Sequence, residues 1–351
     1  MGAIERNPKD SMKSTWRHKD WSTWSHQEKM MDVLRAHPTD IKRAVPVHAK
    51  TDSMPYVPHS QAHKWVLIHA FWPIIAQELF TRATGYQVHI AAAAVFYMLA
   101  FKANAIHEIS LLRELGHQYG HLDGDKHERD QVPDHATTSV WRSLELTGAL
   151  RPLMCIALTY NKSALPSASM PWLWLPLEIG LYGIVLDFFF YWYHRCMHES
   201  DTLWQFHRTH HLTKHPNPLL SLYADGVQAA FDIVGIPLLT WGTMRLMGLP
   251  MGFFDWWVCH EYVVFTEIWG HSGLRVWNTP ATTATPFLQY FDAELITEDH
   301  DLHHRQGWKS SHSYGKQTRL WDRIFGTTTK RIEMSSDNID WNAPVALRMF
   351  W

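Results

Sequence analysis

Apolar residues in this chain gather in six blocks between Trp65 and Trp269, while residues 1–60 and the C-terminal tail are polar. Blocks of this kind predict apolar helices, and several are shorter than the roughly 20 residues that a helix needs to cross a bilayer. Some are therefore expected to be half-spans or interfacial helices. The blocks cover residues 65–80, 88–103, 146–160, 171–193, 227–249 and 251–269.

Short turns join these blocks in pairs. Residues 81–85, 161–170 and 248–250 each separate two neighbouring blocks, which predicts three helical hairpins that return to the side on which they began. The expected fold class is all-α, with four to six membrane spans or half-spans in hairpins and a helical, histidine-rich cap. That cap would combine the N-terminal arm, segment 105–145, the region after the fourth block and the C-terminal tail.

The pattern also predicts a division into two regions. Residues 1–60 mix charges with Ser, Pro and Trp and are expected to form a polar cytosolic N-terminal arm with short helices. Residues 61–351 would form a membrane-embedded domain that also carries the histidine-rich region and the tail. In the arm, His37-Pro38 lacks the two following glycines expected of a fused haem-binding cytochrome domain, so no such domain is expected there.

Composition and charge narrow the class of protein. The formal net charge of −2 argues against a nucleic-acid partner, and three scattered cysteines are too few for a disulfide framework. Lysine and arginine concentrate after the fourth block and in the tail, whereas the opposite turns carry Arg82 and Lys162. By the positive-inside rule, the cap then faces the cytosol. The cations counted for the cap are Arg195, Arg208, Lys214, Arg305, Lys309, Lys316, Arg319, Arg323, Lys330 and Arg331.

Histidines at metal-ligand spacing lie directly behind the fourth apolar block and again near the end of the chain. Positions three and four apart share one face of a helix, so each group could direct its imidazoles at a common point. Ionisable residues beside apolar spans mark functional sites, because placing them there costs free energy unless they pair or bind metal. The groups are His194 and His198, then His207, His210 and His211, and finally His300, His303 and His304.

These histidines also have less specific explanations. A single histidine is more often a solvated or core residue, and His117 and His121, in a polar segment without an adjoining apolar block, are predicted to lie on a solvated helix face.

Eight histidines at ligand spacing exceed what one metal can use, so two metals are expected, and Fe, Zn, Cu and Ni all suit imidazole. No H-E-x-x-H occurs, which argues against a zinc hydrolase. A structural zinc would use about four ligands and leave half of the histidines unexplained.

The histidine groups belong to a longer series of motifs. The series is H-R-C-M-H (194–198), H-R-T-H-H (207–211), H-S-G (271–273), H-D-L-H-H (300–304), S-Y-G (313–315) and W-D-R-I-F-G-T (321–327). Over residues 179–328 the sequence resembles the fatty acid hydroxylase/sterol desaturase superfamily of integral membrane, non-haem di-iron enzymes. Its H-S-G and H-D-x-H-H motifs are most similar to the variants of C4-methyl sterol oxidase-like members.

The resemblance implies which residues bind the metals. It adds His271 of the H-S-G motif to the eight histidines found by spacing. The chain departs from the usual pattern at Ser313, where Asn is usual, and at Arg275, where a second histidine often follows His271. The second departure implies a ligand that is missing or replaced by water. The implied metal ligands are His194, His198, His207, His210, His211, His271, His300, His303 and His304.

Other residues near the motifs are expected to support the ligands. Trp321 and Asp322 are predicted to be structural, and Tyr314 is predicted to pack beside the site. The outer nitrogens of metal-bound imidazoles are usually held by acceptors, and carboxylates between the motifs are the candidates. These carboxylates are Glu199, Asp201, Glu298, Asp299 and Asp301.

The function implied by the resemblance is O2-dependent mono-oxygenation. The expected cofactors are two Fe with O2 as co-substrate, and the expected electron donor is cytochrome b5 or a similar reductase system. The substrate would be a lipophilic molecule, such as a sterol, a fatty acyl chain or a hydrophobic secondary metabolite, that is hydroxylated, oxidised further or desaturated. The expected location is the endoplasmic reticulum membrane, with the metal site facing the cytosol. The alternative from another class is a catalytically silent membrane protein with a structural zinc site.

Overall fold

Helices dominate the computed structural model, which describes residues 8–351 and every side chain among these except Pro8 and Leu222. Each of the six apolar blocks lies largely within helix, as predicted. The α-helices are α1 (His26–Val33), α2 (His59–Thr84), α3 (Ile90–Tyr119), α4 (Thr137–Thr159), α5 (Pro166–Ser169), α6 (Leu175–Glu199), α7 (Asp201–His207), α8 (Gly226–Ala230), α9 (Ile236–Leu246), α10 (Phe253–Gly270), α11 (Thr285–Tyr290), α12 (Thr297–Gln306) and α13 (Leu320–Phe325).

Three helical stretches are long and apolar enough to cross a membrane: Ile90–Tyr119, Leu175–Glu199 and Gly226–Leu246. The third combines α8 and α9 with the π-helical turn Phe231–Gly235 between them. Two of the predicted turns rest on left-handed glycines, Gly85 with a φ of 73° and Gly248 with a φ of 88°. The fold is that of a polytopic helical membrane protein, as predicted. The total of four to six spans or half-spans stays a prediction beyond these three candidate spans.

Helix α10 runs through the centre of the bundle and is buried along nearly its whole length. It packs against α2, α3, α4 and α6. Trp257 Nε1 donates to the carbonyl of Ala70 on α2 at 2.9 Å, and Trp256 Nε1 donates to the hydroxyl of Tyr182 on α6 at the same distance. A helix enclosed in this way can carry polar side chains in its interior face, because other helices and not lipid surround it.

The described part of the N-terminal arm packs against the segment before α4. Trp16 is 2% exposed, its indole nitrogen donates to the carbonyl of Val132 at 3.0 Å, and its backbone N–H donates to Asp134. The arm also covers His117, whose Nε2 accepts the backbone N–H of Asp40 at 2.8 Å. His121 is buried as well, with its backbone bridged to Leu274. The predicted solvated face for these two histidines is therefore wrong, because a distant segment supplies the cover that local sequence lacks.

A short parallel pairing ties the arm to the C-terminal tail. Strand β1 (Met54–Tyr56) pairs with β2 (Ile339–Pro344) in the register Met54 to Ile339. Residues 1–7 of the predicted arm lie outside the described residues. The division of the chain at residue 60 stays a prediction.

Candidate metal centre

The fold brings all nine predicted histidines into two adjoining groups. They come from the end of α6, from α7 and the turn that follows it, from the residue after α10, and from α12. Within each group, one ring nitrogen per histidine lies within 4.8 Å of the others. Group A is His194, His198, His207, His211 and His303, and group B is His210, His271, His300 and His304.

Ring nitrogens in both groups face one another in close pairs. In group A, His194 Nε2 lies 3.0 Å from His207 Nε2, and a second pair with the same separation joins His303 to His211. In group B, His271 Nε2 lies 3.0 Å from the Nε2 atom of His300. Residues 13 to 92 positions apart therefore meet ring to ring.

Outer ring nitrogens are held mainly by carbonyl oxygens. His194 Nδ1 lies 2.7 Å from the Tyr314 carbonyl, and His303 Nδ1 lies 2.6 Å from the carbonyl of His312. An Nδ1 atom that faces a carbonyl carries the proton, so the Nε2 atom keeps a lone pair for a metal. The other such contacts are His198 to the Lys309 carbonyl, His271 to the Glu267 carbonyl, His304 to the Thr213 carbonyl and His207 to the Gln228 side-chain oxygen.

The close Nε2 pairs fit a bound cation. His194 and His207 both direct Nδ1 at an oxygen acceptor, so the Nε2 atoms that face each other at 3.0 Å both present lone pairs. Two lone pairs at that distance repel unless a positive charge lies between them. In addition, His198 and His304 have buried Nε2 atoms without a hydrogen-bond partner among the described residues. The donor set therefore has the chemistry of a metal site.

Burial keeps the imidazoles outside the membrane spans in the neutral form that binds metal. Loss of solvation lowers the pKa of His207 to about 3 and that of His271 to about 4. The pKa values of His210, His211, His300, His303 and His304 are also lowered well below 6.5, first by burial and then by neighbouring histidines. All of these rings are neutral near pH 7 and offer lone pairs without first losing a proton.

The predicted role of the carboxylates between the motifs is wrong for the described residues, where none of the five bonds a ring nitrogen of the nine histidines. They hold the surrounding backbone and cations instead. Asp301, for example, binds Arg129 at 2.7 Å with both side chains fully buried. The other pairings are Glu199 with Arg195, Asp201 with Lys309, Asp299 with Arg331, and Glu298 with the backbone N–H groups of 332–334.

Arg275 points away from both histidine groups. Its guanidinium donates to the backbone carbonyls of Ser53 and Asp52 and lies 3.7 Å from a carboxylate oxygen of Glu333. It is 1% exposed and helps to fasten the arm and the tail to the bundle. Group B therefore has four histidines and receives no ligand from position 275, in agreement with the presence of Arg275 where a second histidine often follows His271.

The motifs after α12 shape the wall behind the histidines. The Asp322 carboxylate accepts the backbone N–H groups of Tyr314 and Gly315, both at 2.8 Å, and Trp321 Nε1 donates to the Ile184 carbonyl. The Tyr314 ring lies 5.3 Å from the ring of His198. These residues hold the loop whose Tyr314 carbonyl contacts His194, which is the structural arrangement predicted for them.

A cavity of about 150 Å3 is lined by histidines of both groups, and the rest of its lining is mainly apolar. Sequence reasoning gave no role in the site to its polar lining residues. Gln228 carries no motif signal, and Lys316 was counted only as a surface charge in the tail. The histidines on the lining are His194, His207, His210, His271 and His300, and its other polar residues nearby are Arg151, Gln228, Asp232, Glu267 and Lys316.

Comparisons with known proteins agree with this geometry. The family model described as fatty acid hydroxylase matches residues 179–327, which include all nine histidines. The fatty acid hydroxylase vlmA of Lecanicillium sp is 41% identical over 321 residues, which cover 88% of each chain. This chain belongs to the fatty acid hydroxylase family. Membership confirms the superfamily suggested by the motifs.

More distant relatives in the superfamily match a smaller share of this chain. The human alkylglycerol monooxygenase is 27% identical over 191 residues, 53% of this chain and 36% of its own length. Methylsterol monooxygenase 2-1 of Arabidopsis thaliana is 28% identical over 168 residues, 44% of this chain and 57% of its own length. No solved structure matches this fatty acid hydroxylase family member.

Proposed function

We propose that this protein is a di-iron mono-oxygenase that hydroxylates a lipophilic substrate. The observation that carries the proposal is the pair of buried histidine groups, with opposed Nε2 atoms, at one wall of a mainly apolar cavity. Its family relatives include hydroxylases and monooxygenases, so the coarse reaction class follows from membership. The proposal adds that both metals are iron and that the substrate is lipophilic.

Group A would hold one iron and group B the other. The number of histidines supports two irons over a structural zinc, because one structural zinc uses about four ligands and would leave five of the nine histidines without a role. All-imidazole ligation suits iron on grounds of ligand softness.

When bound, the two irons would supply the chemistry of O2 reduction. With two electrons and two protons from the donor system and solvent, one oxygen atom would enter a C–H bond and the other would leave as water. The chain's own residues perform the remaining tasks. Carbonyl oxygens of Tyr314 and His312 fix the orientation of His194 and His303. The apolar cavity walls hold a hydrocarbon against the site and exclude water, which protects the reaction from side products.

The electron donor, the orientation and the organelle belong to the same proposal. The chain would receive electrons from cytochrome b5 or a similar reductase system, in the endoplasmic reticulum membrane, with the cap on the cytosolic side. The excess of lysine and arginine after α6 and in the tail supports that orientation. The polar arm at residues 1–60 would lie on the same side.

Metal analysis of gently purified protein tests the proposal. Two irons per chain and lipid-dependent O2 uptake are expected, and the variant His303→Ala should lose both while it still inserts into membranes. One tightly bound zinc per chain with no O2 uptake would support the silent structural alternative and refute the enzyme.

A further inference from the structure

Four charged side chains line the cavity on the wall nearest the histidines. Lys316 Nζ lies 2.8 Å from Glu267 Oε1, and Arg151 binds both oxygens of the same carboxylate at 2.9 and 3.2 Å. Asp232 completes the set from the π-helical turn Phe231–Gly235. Buried charges of this kind cost free energy to desolvate, and π-helical turns are frequent at functional sites. We call these four residues the inner polar wall.

The inner polar wall has unused hydrogen-bonding capacity. Among the described residues, Glu267 is the only hydrogen-bond partner of Lys316 Nζ, although an ammonium group has three N–H donors. Asp232 Oδ1 and Arg151 Nε are buried and have no partner in the described part of the chain. Lys316 and Arg151 both pair with Glu267, and Asp232 formally balances the second positive charge of the set, but the ammonium group of Lys316 keeps N–H donors available to a molecule in the cavity.

The inner polar wall adjoins both histidine groups. The Phe190 ring contacts both Lys316 and His194, with its centre 4.1 Å from the ammonium and 5.0 Å from the imidazole centre. The Glu267 carbonyl lies 2.8 Å from His271 Nδ1. A molecule that touches Lys316 would therefore place its nearby carbons beside the proposed metals.

Lys316 is held in place from behind by α6. The Asp187 carboxylate accepts the backbone N–H groups of Lys316 and Gln317 at 2.7 and 3.0 Å, and it also accepts the hydroxyl of Thr318. The Lys316 side chain is 10% exposed. Its ammonium is thus presented to the cavity by a fixed backbone and not by a mobile surface loop.

Lys102 and Glu145 are the remaining charged pair on the cavity lining, and we take their position as the mouth because they are the more exposed pair. Lys102 on α3 pairs with Glu145 on α4, and their side chains are 23% and 45% exposed, more than Lys316 or Arg151. A cavity of about 150 Å3 encloses one end of a lipid and not a long chain. The remainder of a long substrate would leave through the mouth between α3 and α4.

We propose that the inner polar wall binds a polar oxygen function of the substrate, a carboxylate or a hydroxyl, through Lys316. The proposal rests on the proposed function and adds to it the substrate class and the direction of binding. An amphiphile would enter with its oxygen function first and leave its apolar tail in the mouth. The C–H bond that is hydroxylated would then lie near the oxygen function and not near the distant methyl end.

A purely structural role for these charges makes a different prediction. Arg151, Glu267 and Lys316 tie α4, α10 and the loop after α12 together, so their loss would reduce stability whatever the substrate. A structural tie has no preference among ligands. Discrimination between matched polar and apolar molecules therefore separates the two roles.

The test measures displacement of a fluorescent fatty acid from the purified full-length protein, without iron and without turnover. The competitors are hexadecanoic acid, 1-hexadecanol and hexadecane, which differ only at one end. A hydrogen bond to a charged group predicts that wild type binds the acid or the alcohol roughly 10- to 100-fold more tightly than the alkane. Lys316→Met should abolish that preference, and Lys316→Arg should restore it if the methionine variant folds poorly.

The remaining variants identify the oxygen function and its position. Lys316→Gln keeps an N–H donor without charge, so it should retain binding of the alcohol and lose binding of the acid. Lys162→Met, on an exposed turn outside the cavity, is the matched control and should behave as wild type. If Lys102→Met and not Lys316→Met removes the preference, the oxygen function binds at the mouth and the proposal is overturned.

Two other results would also overturn the proposal: equal binding of all three competitors by wild type, or an unchanged preference in Lys316→Met. Since this assay needs no metal, a protein that prefers the acid but binds no iron would refute the mono-oxygenase and leave the inner polar wall standing. For the active enzyme, mass spectrometry of the product should place the new oxygen near the polar end.

Discussion

Replacing Gln228 by leucine should weaken iron binding while leaving every histidine in place. Gln228 is 4% exposed, and its side-chain oxygen lies 2.9 Å from His207 Nδ1. Leucine leaves that ring N–H buried without an acceptor, which costs about 1–3 kcal/mol. At about 1.4 kcal/mol per factor of ten, the dissociation constant for iron should rise roughly 5- to 150-fold, in the range found when such outer partners of metal ligands are changed.

Competition with a graded series of iron chelators measures this change directly. Gln205→Leu is the matched control, because Gln205 is exposed on α7 and its amide donates to the Thr202 carbonyl instead. Gln228→Glu keeps an acceptor for His207 and should retain iron at least as well as wild type. If Gln228→Leu holds iron as tightly as Gln205→Leu, the contact between Gln228 and His207 does not support metal binding, and the reasoning from the buried outer nitrogen is refuted.

Three further predictions concern the ligands, acidity and topology. His303→Ala should abolish turnover, whereas His117→Ala should lower the melting temperature and leave the iron content unchanged; equal loss of iron in both variants would contradict the two groups. The unfolded chain takes up a proton at His207 near pH 6.5, but the folded chain does so only near pH 3, so the stability of the metal-free protein should fall as the pH drops through that window, measured by thermal melts. Single cysteines at the exposed positions Thr202 and Ser310, in a background without native cysteines, should both react with an impermeant thiol reagent from the cytosolic side; labelling of one from the lumen would place the histidines of 194–211 and those of 300–304 on opposite sides of the membrane.

The clustering of histidines within each motif was predictable because its signal is local. His207, His210 and His211 lie within one helical turn and the turn that follows, and spacing alone puts their rings near one another. The pairing of the groups is not local, since His303 meets His211 across 92 positions. That meeting follows from apolar blocks that return the chain to the same face, which the hydropathy pattern also predicted.

The supporting contacts could not be predicted because their chemical groups carry no sequence signal. Every residue has a carbonyl, so nothing in the sequence distinguishes the Tyr314 carbonyl that contacts His194. Carboxylates near the motifs were the visible acceptors, and they bind cations and backbone instead. Similarly, Arg151, Glu267 and Lys316 are far apart in sequence and meet only once α4, α10 and the tail are packed.

The orientation of the protein depends on where its cations lie along the chain. The positive-inside rule counts Lys and Arg close to the ends of membrane spans, and Asp and Glu contribute little to it. Ion pairs in the folded cap, such as that of Arg208 with Asp10, therefore leave the predicted bias unchanged. The opposite turns carry Arg82 and Lys162. The bias supports a cap on the cytosolic side, and the thiol-labelling result is the measurement that decides it.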